Sequence, residues 1–156
     1  MTIPRNLSIL AESAGAANTP VLNLPNAGEV TTVSNTAAAA TLNYDIGTQS
    51  VLYYTANTGT TNWAINFRWS STVSANSAIA TNQTVTVAFL ATQGATAYVN
   101  NAVQVDGTTT GVTTKWQGGT APTTGNASSV DVYTYTIVKT ASTPTYTVFA
   151  SQTKFA

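Results

Sequence analysis

The sequence predicts an all-β domain, an antiparallel β-sandwich or jelly roll of about seven to eight short strands. Threonine makes up about a fifth of the 156 residues, and its β-branched side chain suits the pleated, half-buried surface of a sheet. Several stretches alternate apolar and polar residues with a period of two, which places the apolar residues on one face. Small polar turns separate these stretches at short intervals, as in sandwiches and jelly rolls.

The clearest strand lies in residues 62–70. Trp63, Ile65, Phe67 and Trp69 alternate there with polar or small residues, so one sheet face carries three large aromatic rings. Such a face is either core or interface, and the core is favoured because alternating aromatics are usually the packed face of a sandwich.

Six further strands follow from the same alternation or from compact apolar runs. Asp106 and Gly107 form the strongest two-residue hairpin signal, which predicts a meander in this part of the chain. No repeat of fixed period indicates a solenoid or a propeller. The further strands cover residues 51–54, 84–93, 97–105, 108–115, 130–139 and 145–152.

The first 36 residues differ from the rest and predict an extended N-terminal docking arm, with the β-sandwich domain over residues 37–156. Prolines at 4, 20 and 25 interrupt short apolar pieces that lack a sustained period, and one or two helical turns are expected over residues 6–14. A frayed tail is the alternative, since termini are often poorly ordered. The residues expected to dock are Ile3, Pro4, Leu7, Leu10, Val21, Leu22 and Leu24.

Composition limits the chemistry that the chain can perform. It contains no His and no Cys, which excludes Ser-His-Asp and Cys-His catalysis, disulfides and thiolate metal sites. The five carboxylates are scattered, without the spacing of a calcium loop or a persuasive glycosidase pair. We therefore expect no enzymatic activity, no metal and no cofactor; the carboxylates are Glu12, Glu29, Asp45, Asp106 and Asp131.

The charge content predicts assembly with other proteins. Charged residues make up 6% of the chain and the net charge is zero, so little repulsion keeps copies apart. There is no basic stripe, and we expect no nucleic-acid partner. No apolar run is long enough for a membrane span, and no signal peptide is recognisable, so we expect assembly in a cytoplasm.

A small group of residues forms the candidate surface contact. Trp116 lies beside Gly118 and Gly119 in a predicted loop, and Asn57 and Thr58 lie in the turn after residues 51–54. Exposed aromatics can stack on the apolar faces of sugar rings. Burial of Trp116 in the core is about equally expected for this residue type.

Six segments between roughly residues 50 and 155 carry a family resemblance. The segments are YYTANTG at 53–59, NWAINFRWS at 62–70, VAFLATQGATAY at 87–98, VQVDGTT at 103–109, WQGG at 116–119 and ASQ at 150–152. They resemble uncharacterised structural proteins in the virions of tailed phages that infect marine cyanobacteria, and the N-terminal arm lies outside the resemblance. The resemblance implies a component of the particle and carries over no functional residue.

Two functions are compatible with these observations. The first is a non-enzymatic virion subunit, a homotrimer by preference, that decorates the capsid or extends a tail or fibre and contacts other virion proteins through its arm. The alternative is a receptor-binding module of a tail fibre that recognises a host surface glycan through loops near Trp116 and residues 58–61. An enzyme with a carboxylate pair is the third and weakest class.

Overall fold

The computed structural model describes residues 28–156, which form nine strands, one short α-helix and one 3-10 helix at Gln117–Gly119. The last two strands are the longest and form a hairpin. No helix in this range is long and apolar enough to span a membrane. The elements are β1 Thr31–Ser34, β2 Ala40–Asp45, β3 Val51–Tyr54, β4 Trp63–Arg68, α1 Ala75–Ala78, β5 Thr84–Thr92, β6 Asn100–Val105, β7 Val112–Trp116, β8 Val130–Ala141 and β9 Thr145–Phe155.

The strands form two sheets. The larger sheet has six strands in the order β1-β3-β5-β8-β9-β7, and the smaller has three in the order β2-β4-β6. From β1 to β7 the chain alternates between the sheets. In chain order, each strand of the small sheet therefore lies between two strands of the large sheet. This alternation supplies the crossover that parallel neighbours require.

The β class is therefore confirmed, but the expectation of purely antiparallel sheets is wrong. Among the described strands, five of the seven pairings are parallel, including both pairings of the small sheet. Only β8 runs against its neighbours, β5 and β9. When the chain crosses to the other sheet and returns, the new strand runs in the same direction as the previous strand of its own sheet. Neighbouring strands made in this way are parallel.

The winding also explains why the sequence shows no repeat. Thr31 aligns with Val51 across β1 and β3, and Val51 aligns with Ala88 across β3 and β5. The two steps span very different lengths of chain, because α1 and its flanking loops occupy the second step. A coil with turns of unequal length leaves no fixed period in the sequence.

The turn predicted at Asp106 and Gly107 forms, but the predicted hairpin does not. Both residues have positive φ, 51° and 80°, as a type I′ turn requires, and Val105 and Thr108 exchange both backbone hydrogen bonds. The chain then leaves the small sheet, and β7 pairs with β9 in the large one. The expected meander is therefore wrong, and β6 pairs with β4 instead of β5.

One aromatic cluster joins the two sheets. Trp63 on β4 is fully buried and lies edge-on to Phe89 on β5 and Tyr133 on β8, with ring centroids 5.0 Å apart in each case. Phe67, two positions along the same face with Ile65 between them, meets Tyr135 at 5.1 Å. The alternating face predicted for residues 62–70 is thus core, except that Trp69 lies beyond β4 and is 36% exposed.

Helix α1 was not predicted, and two charged side chains hold it at its ends. The Asp106 carboxylate accepts hydrogen bonds from the backbone N–H groups of Ala75 and Asn76. The Lys139 amine, 5% exposed, donates to the carbonyls of Asn76 and Ile79 at 2.6 and 2.8 Å. A carboxylate at the start of a helix and an amine at its end both interact favourably with the helix dipole.

The predicted arm falls mainly outside the described residues. The docking positions from Ile3 to Leu24, and the expected helical turns over residues 6–14, all lie before residue 28. Residues 28–36, which the sequence placed in the arm, contain β1, and this strand forms one edge of the six-stranded sheet.

Replacing Trp63 with Ala should lower the free energy of unfolding by about 3–5 kcal/mol, because the cavity would lie between the two sheets. Trp69→Ala is the matched control and should cost much less, since Trp69 is partly exposed. Urea denaturation followed by circular dichroism measures both. Equal losses would contradict the assignment of Trp63 as the residue that joins the sheets.

Candidate functional site: a groove beside Trp116

A groove of about 550 Å³ opens beside Trp116, at the β7 edge of the six-stranded sheet. This volume is within the usual range for small-molecule sites, about 300–1,000 Å³. We call it the Trp116 groove. Its lining residues are Trp116, Gln117, Gly118, Thr120, Pro122, Gln152, Thr153 and Lys154.

Trp116 is held in place by its strand and by a core aromatic ring. It pairs with Ala150 across β7 and β9, and its ring lies edge-on to that of Tyr135 at 6.3 Å. The side chain is partly buried and packs against the core with one part of its surface. The indole is therefore fixed in orientation, while the remainder of its surface lines the groove.

The β9 side of the groove comes from the end of that strand. The core-facing positions of β9 change there from apolar to polar: Val148 and Ala150 are buried, whereas Gln152 is half-buried and Lys154 is exposed. The Gln152 side-chain amide donates to the Tyr133 hydroxyl at 3.1 Å. At this end of β9 the apolar core is therefore bordered by polar side chains that contact solvent.

A loop between β7 and β8 supplies the opposite wall. Thr124 in this loop accepts hydrogen bonds from Gln152 through its carbonyl at 3.4 Å and from the Lys154 amine through its hydroxyl at 3.1 Å. The loop starts with Gly118 and Gly119, both at positive φ, 79° and 85°, a conformation that favours glycine. A methyl group placed on the Cα of either glycine would have no neighbouring atom within 4 Å, so the rim is open there.

A buried carboxylate occupies the neighbouring position on β8. Asp131 pairs with Lys154 in the β8–β9 ladder and is fully buried. One of its oxygens, Oδ2, accepts from Gln93 Nε2 at 3.0 Å and from the Asn126 backbone N–H at 3.1 Å; Oδ1 has no partner among the described residues. Burial raises the pKa of this carboxyl above its ordinary value of 3.8, against the opposing effect of these hydrogen bonds and of Lys154.

The structure separates the two halves of the predicted surface contact. Trp116 and Gly118 line the groove, and Gly119 is exposed in the same turn. Asn57 and Thr58 are exposed after β3, which is four strands away from β7 in the sheet, or roughly 19 Å at the usual strand spacing. Both loops leave the sheet at the same end, but Asn57 and Thr58 do not belong to the Trp116 groove.

Three of the four described carboxylates each have contacts or a buried position of their own. Asp45 forms an ion pair with Arg68, Asp106 holds the start of α1, and Asp131 is buried as described. Glu29 is exposed before β1. Within residues 28–156 no group of three potential metal ligands comes together.

A second, smaller hollow of about 330 Å³ lies beside the loop that follows β4. Arg68 and Asp106 line it, and both already have the partners given above. The Trp116 groove is therefore the better candidate for a ligand.

Neither the family models, nor the curated proteins, nor the solved structures contain a match to this chain. The candidate site consequently depends on its own geometry and chemistry.

Asp131→Asn should change the pH dependence of stability in a defined direction. The pKa of this carboxyl is higher in the folded protein than in the unfolded chain. The folded protein therefore keeps the proton at a pH where the unfolded chain has lost it. Wild-type stability relative to the variant should therefore increase as pH falls from about 7 towards about 4. Asparagine can keep both hydrogen bonds through its oxygen.

Urea denaturation of the two proteins across this pH range measures the difference. Comparing the pair cancels the contributions of the other carboxylates. If the free energy of unfolding of the two proteins changed with pH in the same way, the proposed effect of burying the Asp131 carboxylate would be contradicted.

Proposed function

We propose that the chain is a non-enzymatic structural subunit of a tailed-phage virion, a β-sandwich that decorates the capsid or extends a tail or fibre. In this proposal it assembles in the host cytoplasm, forms a homotrimer by preference, and contacts other virion proteins through its N-terminal arm. The resemblance of six segments to virion proteins of cyanobacterial phages supports the setting. The aromatic contacts of Trp63 with Phe89 and Tyr133 support the sandwich arrangement, because they join the two sheets face to face.

The observation that carries the proposal is the edge of the large sheet at β1. Within residues 28–156 this strand pairs only with β3, and no described strand pairs with the backbone N–H and C=O groups on its other side. Its sequence, Thr-Thr-Val-Ser, contains neither a charged residue nor a proline, which are two of the devices with which natural proteins protect an edge strand. Val33 and the preceding Val30 are 62% and 60% exposed.

The outer face beside this edge is also apolar and uncharged. In the strand registers, Val33 on β1 aligns with Tyr53 on β3, Leu90 on β5 and Val132 on β8. These four side chains form a row across the sheet on the face opposite the core. An edge and a face that are both free of charge suit permanent contact with protein.

The position of the N-terminal segment relative to this edge supports the arm. Residues 1–27 directly precede β1 in the chain, and 27 extended residues can span up to about 90 Å. An arm that starts at this edge can contact a neighbouring subunit without any change in the domain.

The proposal predicts different behaviour for three proteins: the full chain, a variant lacking residues 1–27, and Val33→Lys. The full chain should sediment as an oligomer and enter particles in a complementation assay. Deletion of the arm should abolish incorporation, and Val33→Lys should weaken self-association, because a lysine on an edge strand opposes strand addition.

Thr113→Lys is the matched control. Thr113 is exposed on β7 at the opposite edge, where Lys115 is already present, so this change should leave assembly intact. A full chain that remains monomeric and enters no particle, or an armless variant that incorporates normally, would refute the proposal.

A further inference from the structure

We propose that the Trp116 groove binds a carbohydrate, with one neutral pyranose ring of a surface glycan seated against the indole. This goes beyond the structural function proposed above, because a subunit can assemble through β1 without binding any sugar. The groove is free of the elements that carry the proposed assembly, since β7 and β1 are opposite edges of the large sheet.

The first support is the combination of apolar and polar groups in the lining. Trp116 and Pro122 supply apolar surface, and Gln117, Gln152 and Thr120 supply amides and a hydroxyl. A pyranose has the matching chemistry, with apolar C–H faces for an aromatic ring and hydroxyls around its edge. Specific sites are typically built in this way, with an apolar surface and a few placed polar groups.

The second support is that two of the lining side chains are held before any ligand arrives. The edge-on contact with Tyr135 restrains the Trp116 indole, and the bond to the Tyr133 hydroxyl restrains the Gln152 amide. Restrained groups lose less conformational entropy on binding. A weak ligand such as a single sugar benefits most from this.

The charges at the groove favour a neutral sugar over an anion. Lys154 is the one cation in the lining; its amine already bonds to Thr124, and the Asp131 carboxylate lies beside it in the ladder. Lys115 is on the adjacent strand at a position paired with exposed Phe149, on the other face of the sheet. A phosphate or sialic acid would therefore meet little net positive charge.

The open rim supports a glycan chain instead of a small enclosed ligand. Gly118 in the lining and Gly119 next to it carry no side chain, and a Cβ at either position would have no neighbouring atom within 4 Å. A ring bound at Trp116 can thus continue into further residues of an oligosaccharide without a clash.

Saturation-transfer NMR on the full chain tests the proposal with a panel of neutral sugars at millimolar concentration: glucose, galactose, mannose and N-acetylglucosamine. N-acetylneuraminic acid and a short proline-rich peptide are included as the acidic and peptide alternatives. At least one neutral sugar should receive saturation, and Trp116→Ala should weaken its binding by about tenfold or more, which corresponds to about 1.4 kcal/mol.

Trp69→Ala is the control, because Trp69 is a partly exposed tryptophan outside the groove. This variant should bind the sugar as the wild type does. Since Trp116 also packs against Tyr135, Gln117→Ala provides a second test at an exposed lining residue, where the fold should be unaffected and affinity should fall several-fold. Transfer to none of the neutral sugars, transfer only to the acidic sugar or the peptide, or transfer that survives both groove variants would overturn the proposal. None of these results depends on the oligomeric state.

Discussion

Three strands cover the inner face of a sheet that has six, and the rest of the architecture follows from this mismatch. The covered centre contains the fully buried aromatic residues: Trp63 of the small sheet packs there against Phe89 and Tyr133 of the large one. Towards the two edges the small sheet no longer provides a partner. At β1 the inward position is Thr32, which is exposed, and at β7 it is Trp116, which is half-buried. The Trp116 groove is thus the uncovered margin of the core.

The sequence predicted seven of the nine described strands and missed β1 and β2. The seven were predictable because burial alternates with a period of two, and this signal is local. Tyr133, Tyr135 and Ile137 alternate along β8, and all three are fully buried. Strand pairing is not local, and a period of two says which face a residue occupies but not which strand lies beside it. The Asp106–Gly107 turn shows the difference. The turn forms as its residues require, yet the chain beyond it joins the other sheet.

Only part of the candidate site could be predicted, because the signals for its residues are local whereas their assembly depends on strand pairing. A tryptophan beside two glycines indicates an aromatic residue next to a tight turn, and this signal selected Trp116 and Gly118, which both line the Trp116 groove. Asn57 and Thr58 gave a similar turn signal but belong to a loop four strands away. Gln152 and Lys154 were missed, although β9 contains a usable signal: its core-facing positions pass from Tyr146 and Val148 to polar residues. Such a transition within one strand marks the place where a core meets solvent.

Several of the few charged residues in the described part of the chain make their contacts within the domain. Lys139 and Asp106 hold the two ends of α1, Asp45 pairs with Arg68, and Asp131 lies beneath a loop. The outer face of the large sheet is left with threonines, as in the Thr86–Thr136 hydroxyl pair at 3.0 Å, and with the row from Val33 to Val132. Threonine hydroxyls keep a face hydrated without creating repulsion between copies, so this composition is suited to close packing of subunits.

The two edges of the large sheet differ in a way that keeps the proposed assembly surface apart from the proposed ligand groove. At β7 the edge strand contains Lys115, and a charged side chain on an edge opposes the addition of another strand. At β1 no such residue is present. Five strand spacings separate these edges, or roughly 24 Å, so a neighbour bound at β1 leaves the Trp116 groove accessible on the far side. A single sheet that is only half covered can therefore provide both a surface for assembly and a surface for a ligand, without the residues of one interfering with those of the other.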